Sequence, residues 1–289
     1  MKDQVLIATG FNNQIRIYLS YTKKLVEKAR LIHNTEPTST AALGRLLIAL
    51  SMMEFMYKDA HFLALKITGD GPLEYLIAES LKKGTVRGTI SNPNVYLIYP
   101  DSNKLAVGKA IGKGFLTARR QDKKGANYQS SVELVSGEIG DDLALYFHQS
   151  EQIPTAVGLG VLTNLDKSVK EAGGFIVQLL PHTSEEVIQA LETNLTKITS
   201  VTALLEKNLT LEDILSLLTN NNYQILATNK ISYYCGCDKN YYQNALLKLN
   251  KETLSEFLSD DTTEIVCEYC KKKYLFTKDE IATLINSKK

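Results

Sequence analysis

The chain has 289 residues, of which 44% are hydrophobic and 22% are charged, and its formal net charge is +1. This balance is typical of globular proteins, and the length fits about two domains of roughly 150 residues each. A net charge near zero gives no global sign of a nucleic-acid or membrane surface. The N-terminal apolar run is too short for a signal peptide, and no run is long enough to cross a bilayer comfortably. We therefore expect a cytoplasmic protein without a membrane partner.

Residues 1–181 predict a single α+β domain, in which strands and helices surround one core. Period-2 alternation and turn residues predict strands over residues 15–21, 62–68, 73–80 and 85–90, and two more within residues 105–119. Residues 41–57 are apolar almost all round and predict a buried helix that Ser39 or Thr40 caps. Three of the four methionines lie on that helix. They suit either core packing or an adaptable binding surface, and we favour the core.

Residues 182–229 predict a helical linker. The segment from Thr183 to Glu186 fits a capping box, and apolar residues at helical spacing follow it. Thr210 with Asp213 begins a second helix, which three consecutive asparagines end. Each helix has one apolar face that must lie on another surface. We expect these helices to pack their leucines on the α+β domain and to relay changes from the C-terminal segment.

All four cysteines lie in the C-terminal segment, residues 230–289, as a Cys-Gly-Cys pair and a Cys-x-x-Cys pair with 29 residues between them. Two such pairs can form the four-thiolate site of structural zinc, so we predict a small zinc-binding domain with one zinc ion per chain. The predicted ligands are Cys235, Cys237, Cys267 and Cys270. Gly236 allows backbone angles that let both sulfurs of the first pair reach one ion. One alternative is a zinc ion that only staples the domain. Another is a pair of disulfides, which the lack of a secretion signal disfavours.

The chemistry of this segment also predicts sensitivity to oxidants. Zinc-bound sulfur is thiolate, the form that oxidants attack. Lysines close in sequence favour the anion; they are Lys230, Lys239, Lys271, Lys272 and Lys273. A domain this small is marginally stable by itself, whereas structural zinc contributes about 10–16 kcal/mol. Losing the metal should therefore unfold the domain.

Features of the segment suggest two other functions, but the sequence disfavours both. Its lysines and tyrosines suggest a nucleic-acid-binding zinc protein, but residues 230–289 carry ten lysines and nine carboxylates. With four thiolates on a divalent ion the net charge is about −1, which gives no basic footprint and no expected nucleic-acid partner. An enzyme is also disfavoured, because the Cys-x-x-Cys lies outside a thioredoxin-like β-α-β pattern and no hydrolase motif is present.

Short motifs along nearly the whole chain, together with the cysteine pattern, resemble the redox-regulated 33-kilodalton heat-shock chaperones of bacteria (heat-shock protein 33). The motifs are Ala42–Leu47 (ALGRLL), Gly69–Leu73 (GDGPL), Val86–Pro93 (VRGTISNP), Ser136–Leu143 (SGEIGDDL), Ser150–Pro154 (SEQIP) and Ala172–Gly174 (AGG).

The resemblance implies an ATP-independent holdase, not an enzyme, that is inactive while reduced and zinc-bound. It further implies that oxidation forms the disulfides Cys235–Cys237 and Cys267–Cys270 and releases zinc. The zinc domain and linker then unfold, and surface that binds unfolding client proteins is exposed. The active species expected from the family is a homodimer, which passes its clients to ATP-dependent chaperones.

Overall fold

The protein is described by a computed structural model that covers residues 1–57 and 59–287. The chain forms two compact units, Met1–Tyr234 and Cys235–Lys289. The predicted α+β class is confirmed, since both units combine helices with sheet. Within the described residues, no helix is both long enough and apolar enough to cross a membrane.

The strands, numbered in chain order, are β1 Gln4–Gly10, β2 Ile15–Tyr21, β3 Ala60–Gly69, β4 Tyr75–Lys82, β5 Thr85–Ile90, β6 Gly114–Asp122, β7 Asn127–Glu133, β8 Thr155–Thr163, β9 Val169–Leu179, β10 Tyr223–Lys230, β11 Ser232–Tyr233, β12 Thr262–Val266 and β13 Lys273–Thr277. The α-helices are α1 Lys23–His33, α2 Pro37–Met53, α3 Val107–Ile111, α4 Gly140–Tyr146, α5 Glu185–Thr196, α6 Val201–Glu206, α7 Leu211–Thr219, α8 Lys239–Leu246, α9 Lys251–Glu256 and α10 Lys278–Ser287. A π-helical turn, Phe147–Glu151, follows α4, and a 3₁₀ turn, Phe257–Ser259, follows α9.

Two sheets form the frame of the first unit. The five-stranded sheet has the order β10-β1-β2-β9-β8 and is antiparallel throughout. The six-stranded sheet has the order β11-β5-β4-β3-β6-β7, and only the short edge strand β11 runs parallel to its neighbour. The predicted hairpin of β4 and β5 is confirmed.

Helix α2 is the centre of the main core. Every residue of this helix except Arg45 is buried, and the helix contacts strands of both sheets. A side chain in place of Gly174 would come within 2.9 Å of Ile48, so this glycine lets the helix lie close to β9. Met52 and Met53 are fully buried, which confirms the core interpretation for these two methionines. The helix ends at Met53, short of the predicted residue 57, and Met56 lies beyond it, half-buried at the edge of the core.

The linker helices α5, α6 and α7 lie on the opposite face of the five-stranded sheet. They form a second core with that sheet, in which Leu191, Leu205 and Leu215 are buried. The leucine face therefore packs as predicted. The linker also contributes a strand that the sequence did not predict. This strand, β10, pairs along the whole of β1. The linker thus belongs to the same compact unit as the first 181 residues.

Several local predictions were wrong. Helix α2 begins at Pro37, with Glu36 at its N-cap, so neither Ser39 nor Thr40 caps it. The segment predicted as two strands within residues 105–119 holds the short helix α3 and then β6, because the chain turns at Gly112, whose φ is +74°.

The two predicted capping boxes of the linker had different outcomes. Ser184 occupies the N-cap of α5 without a side-chain cap bond, and Thr183 Oγ1 instead donates to the carbonyls of Gln14 and Leu180. The box of Thr210 and Asp213 at the start of α7 is present as predicted.

Candidate metal centre

The small unit, Cys235–Lys289, is built around a hairpin and three short helices. Strands β12 and β13 pair in register from Thr262↔Thr277 to Val266↔Lys273, and the turn between them carries the Cys-x-x-Cys pair. The backbone N–H of Cys267 donates to the carbonyl of Lys272 at 2.9 Å. The N–H of Lys271, whose φ is +57°, donates to the carbonyl of Cys267 at 2.8 Å. These bonds close the turn into a compact knuckle.

The four cysteine sulfurs converge, and all of them lie within 4.8 Å of one another. Two close separations join the pairs, with 3.5 Å between Sγ of Cys235 and Cys267 and 3.3 Å between Sγ of Cys237 and Cys270. Gly236 has φ +71°, the conformation predicted to let both sulfurs of the first pair face one point. No histidine, aspartate or glutamate of the described residues joins this group.

Burial differs between the members of the site. Cys235 and Cys267 are buried, whereas Cys237 and Cys270 are half-buried. Cys235 and Cys267 also belong to the core of the small unit, beside Leu254, Phe276 and Ile281. The sulfur site is therefore part of what holds this unit together, since its remaining apolar core is small.

Hydrogen bonds and neighbouring sulfurs move the thiol pKa values in opposite directions. Burial raises the pKa of Cys267, but bonds from the Tyr242 hydroxyl and from the N–H groups of Tyr269 and Cys270 outweigh it and lower the pKa to about 6. Burial and the adjacent sulfurs raise the pKa of Cys270 to about 11. Once one sulfur is anionic, the others resist ionisation unless a cation compensates them.

Two tyrosines that the sequence suggested only as nucleic-acid contacts lie at the site. The Tyr274 hydroxyl donates to the carbonyl oxygen of Cys237 at 2.9 Å and to its sulfur at 3.1 Å. Tyr242 bonds Cys267, and its ring lies 4.9 Å from that of Tyr274. Their position at the sulfurs depends on how β13 and α8 pack, which spacing alone does not reveal.

Two of the five lysines expected to favour thiolate pair with carboxylates instead. Lys239 pairs with Glu280 at 2.6 Å, and Lys273 pairs with Glu264 at 3.0 Å. Lys272 lies 5.3 Å from the centre of the Tyr274 ring. The hydrogen bonds to sulfur, more than these lysines, therefore favour thiolate at the site.

The donor set fits a divalent soft metal ion. Four thiolates around one ion are the usual ligands of structural zinc, and Zn–S bonds of about 2.3 Å in a tetrahedron place sulfurs about 3.8 Å apart. The observed sulfur group is of this size. The structure thus brings together all four cysteines predicted as ligands, in an arrangement that could hold a metal ion.

Comparisons with known proteins agree on one family. The profile of the family described as Hsp33 protein matches residues 3–277. The chain belongs to the Hsp33 family. A 33 kDa chaperonin of Acholeplasma laidlawii is 49% identical, with all of both chains covered, and that of Bacillus subtilis is 37% identical over 98% of each chain. The crystal structure of the Thermotoga maritima Hsp33 homolog matches with a TM-score of 0.92 and 33% identity, covering 99% of this chain and 98% of that one.

Membership confirms the family resemblance drawn from the motifs. Hsp33 is a heat-shock chaperone family and not a family of enzymes, and the clustered cysteines fit a zinc and redox centre. The resemblance over the full length also covers the α+β unit, the linker and the small unit together.

Proposed function

We propose that this chain is a redox-regulated, ATP-independent holdase of the cytoplasm, inactive when reduced and active when oxidised. The observation that carries the proposal is the convergence of four cysteine sulfurs within 4.8 Å in a small unit of a heat-shock chaperone chain. It acts by binding unfolding proteins, and no catalytic step is required.

In the reduced state Cys235, Cys237, Cys267 and Cys270 hold one zinc ion. A bound zinc ion would keep all four sulfurs as thiolates and link the first pair to the knuckle. Tyr242 and Tyr274 orient the sulfurs through their hydroxyl groups. The four cysteines and two tyrosines are therefore suited to hold zinc in the reduced, inactive state.

Oxidation changes the four sulfurs into two disulfides. Each pair of thiolates gives two electrons to an oxidant such as hypochlorous acid, and one S–S bond forms. Family resemblance gives the pairing as Cys235–Cys237 and Cys267–Cys270. The sulfur distances do not select it, since sulfurs of different pairs also lie only 3.3 and 3.5 Å apart. Peptide mapping of oxidised protein distinguishes the two pairings.

Loss of the metal should unfold the small unit, because two of its buried core residues are ligands. The linker helices would then leave the five-stranded sheet and expose apolar side chains on both. The buried surface available for clients includes Ile15, Ile17 and Leu19 on the sheet and Ile214 and Leu218 on α7. Exposed apolar area of this kind binds other apolar chains without sequence preference. The oxidised protein acts as a homodimer and passes its clients to ATP-dependent chaperones.

Nucleic-acid binding by the small unit is the weaker alternative. Pairing of Lys239 and Lys273 with carboxylates reduces the positive charge that such binding needs. A mobility shift of labelled RNA or DNA that weakens with added salt would support this alternative.

The test of the proposed function is light scattering by a client that unfolds on heating. Protein treated with hypochlorous acid should suppress aggregation without ATP, and protein kept in reductant with zinc should not. Equal protection in both states would indicate a chaperone without a redox switch. No protection in either state, despite zinc loss, would refute the holdase assignment.

A further inference from the structure

A cavity of about 520 Å³ lies at one end of the five-stranded sheet of the first unit. It is bounded by β2 and β9, by the residues that follow α2, by the π-helical turn and by the start of the linker. Its size is within the usual range of small-molecule sites. Nothing in the proposed redox mechanism uses it.

One wall of the cavity carries an arginine without a counter-charge. Arg16 lies on β2, and its Nε is buried without a hydrogen-bond partner. Its guanidinium lies near the hydroxyl of Tyr18, where it opposes the rise in the Tyr18 pKa that burial causes. No carboxylate of the described residues forms an ion pair with Arg16.

A glutamine beside this arginine is also without a partner. Gln178 on β9 is the direct cross-strand neighbour of Arg16, so both side chains leave the same face of the sheet. Gln178 is only 8% exposed and lines the cavity, yet no described residue makes a hydrogen bond with its amide. Its amide atoms are not among the fully buried unpartnered atoms of the described residues, so they keep contact with solvent in the cavity. A guanidinium next to such an amide offers several N–H donors to one anion.

The remaining walls are mostly apolar, with one acid. Met56, Phe147, Ile153, Leu180 and Ile188 provide the apolar surface. The acid is Glu151, whose Oε1 accepts from the hydroxyls of Tyr57 at 3.1 Å and Tyr146 at 2.9 Å. His182 completes the titratable groups of the wall. Since Glu151 repels an anion, a ligand carboxylate belongs at Arg16 and Gln178.

We propose that this cavity binds a small carboxylate with an apolar body, such as a medium-chain fatty acid. The guanidinium of Arg16 and the amide of Gln178 hold the carboxylate oxygens, and the apolar walls cover the hydrocarbon. Thr183 and Ile188 belong to the start of the linker, so the ligand touches both the sheet and the linker. If the proposed function holds, bound ligand favours the docked linker and delays activation.

The test measures binding of decanoate to the full reduced, zinc-loaded chain by calorimetry. We expect one molecule per chain, and binding of decanol at least about tenfold weaker, because decanol has no charge for Arg16. Arg16→Met should weaken decanoate about tenfold, and Gln178→Leu should weaken it about threefold. Arg119→Met is the matched control, since Arg119 is an exposed arginine over the ring of Phe62 on the other sheet.

Decanoate binding that is unchanged in Arg16→Met, or equal binding of decanol, overturns the proposal. If Arg16→Met does not fold, Arg16→Lys serves instead, and it should bind with intermediate affinity because it keeps the charge without the planar fork. Hydrogen exchange tests the linker separately, since decanoate should slow exchange across α5 in the native chain and not in Arg16→Met. Binding without that slowing keeps the site and rejects its effect on the linker. Neither readout involves a client, so failure of the chaperone proposal leaves both interpretable.

Discussion

Two tyrosine hydroxyls lie against the cysteine sulfurs, and the hydroxyl of Tyr274 gives the first prediction. Its hydroxyl bonds both the carbonyl oxygen and the sulfur of Cys237. Groups that hydrogen-bond metal ligands typically change metal affinity by about 10–100-fold. We expect Tyr274→Phe to keep the fold of the small unit and to bind zinc about tenfold more weakly, as measured by chelator competition on reduced protein.

Tyr241→Phe is the matched control, because Tyr241 is 55% exposed and its hydroxyl makes no hydrogen bond to the described residues. Equal zinc affinity in the two variants would show that the Tyr274 hydroxyl does not support the site.

A buried carboxylate in the first unit gives a second prediction at this scale. Burial raises the pKa of Glu54 from 4.5 to about 7, although Ser80 Oγ at 2.6 Å and the Gly84 N–H at 3.1 Å donate to it. Because the folded state binds this proton more tightly than the unfolded state, protonation of Glu54 stabilises the fold. This contribution is fully present below about pH 4.5. It is lost as the pH rises through about 7.

In Glu54→Gln, the free energy of unfolding should therefore decrease less than in the native chain between about pH 5 and about pH 8.5. Glutamine keeps the acceptor for Gly84 and carries no charge, so at the higher pH the variant should be more stable by up to ~3 kcal/mol. Urea unfolding of the first unit measures this difference. Glu133→Gln, at an exposed position of β7, is the control. An identical pH dependence in Glu54→Gln and the native chain would contradict the assignment.

At the scale of elements, the sequence predicted those parts whose signals are local. The Thr210 and Asp213 box starts α7 because both partners lie within one turn. Strand β10 was not predicted, because its half-exposed residues show no apolar face and it forms only by pairing with β1. The four cysteines were found by their spacing, whereas Arg16 and Gln178 meet only through the register of β2 and β9.

The docking of the linker gives a prediction with a control on the same helix. Leu215 on α7 is fully buried, and Leu217 on the same helix is 41% exposed. Leu215→Ala should destabilise the linker by about 2–4 kcal/mol, since it removes packed volume that the sheet cannot refill. Exchange of α7 amides should then rise about 100-fold, and reduced protein should already suppress some client aggregation.

Leu217→Ala should change both properties far less, because the Leu217 side chain is 41% exposed and fills no space in the core. If Leu215→Ala loosens α7 and reduced protein stays inactive, linker release alone does not create the client surface. In that case the surface lies elsewhere, and the proposed link between linker and activity is wrong.

At the scale of the whole molecule, the two units differ in what stabilises them. The unit Met1–Tyr234 has two extensive apolar cores, and the main one surrounds α2. The unit Cys235–Lys289 has a small core that includes two of the four cysteines. Chains of about this size commonly need a metal or disulfides to stay folded. Oxidation should therefore act on the units unequally.

We expect hydrogen exchange after oxidation to become fast throughout residues 235–287 and to remain slow in β3, β4 and β6 of the six-stranded sheet. Treatment with a chelator in reductant should give the same pattern, because it removes the metal without forming disulfides. Added zinc should restore protection in the chelated protein at once, but in the oxidised protein only after reduction, since disulfide sulfurs are no longer thiolate ligands. Uniform loss of protection would mean that the two units unfold together. Retained protection in the small unit would mean that its core does not depend on the sulfur site, and the switch would need another physical basis.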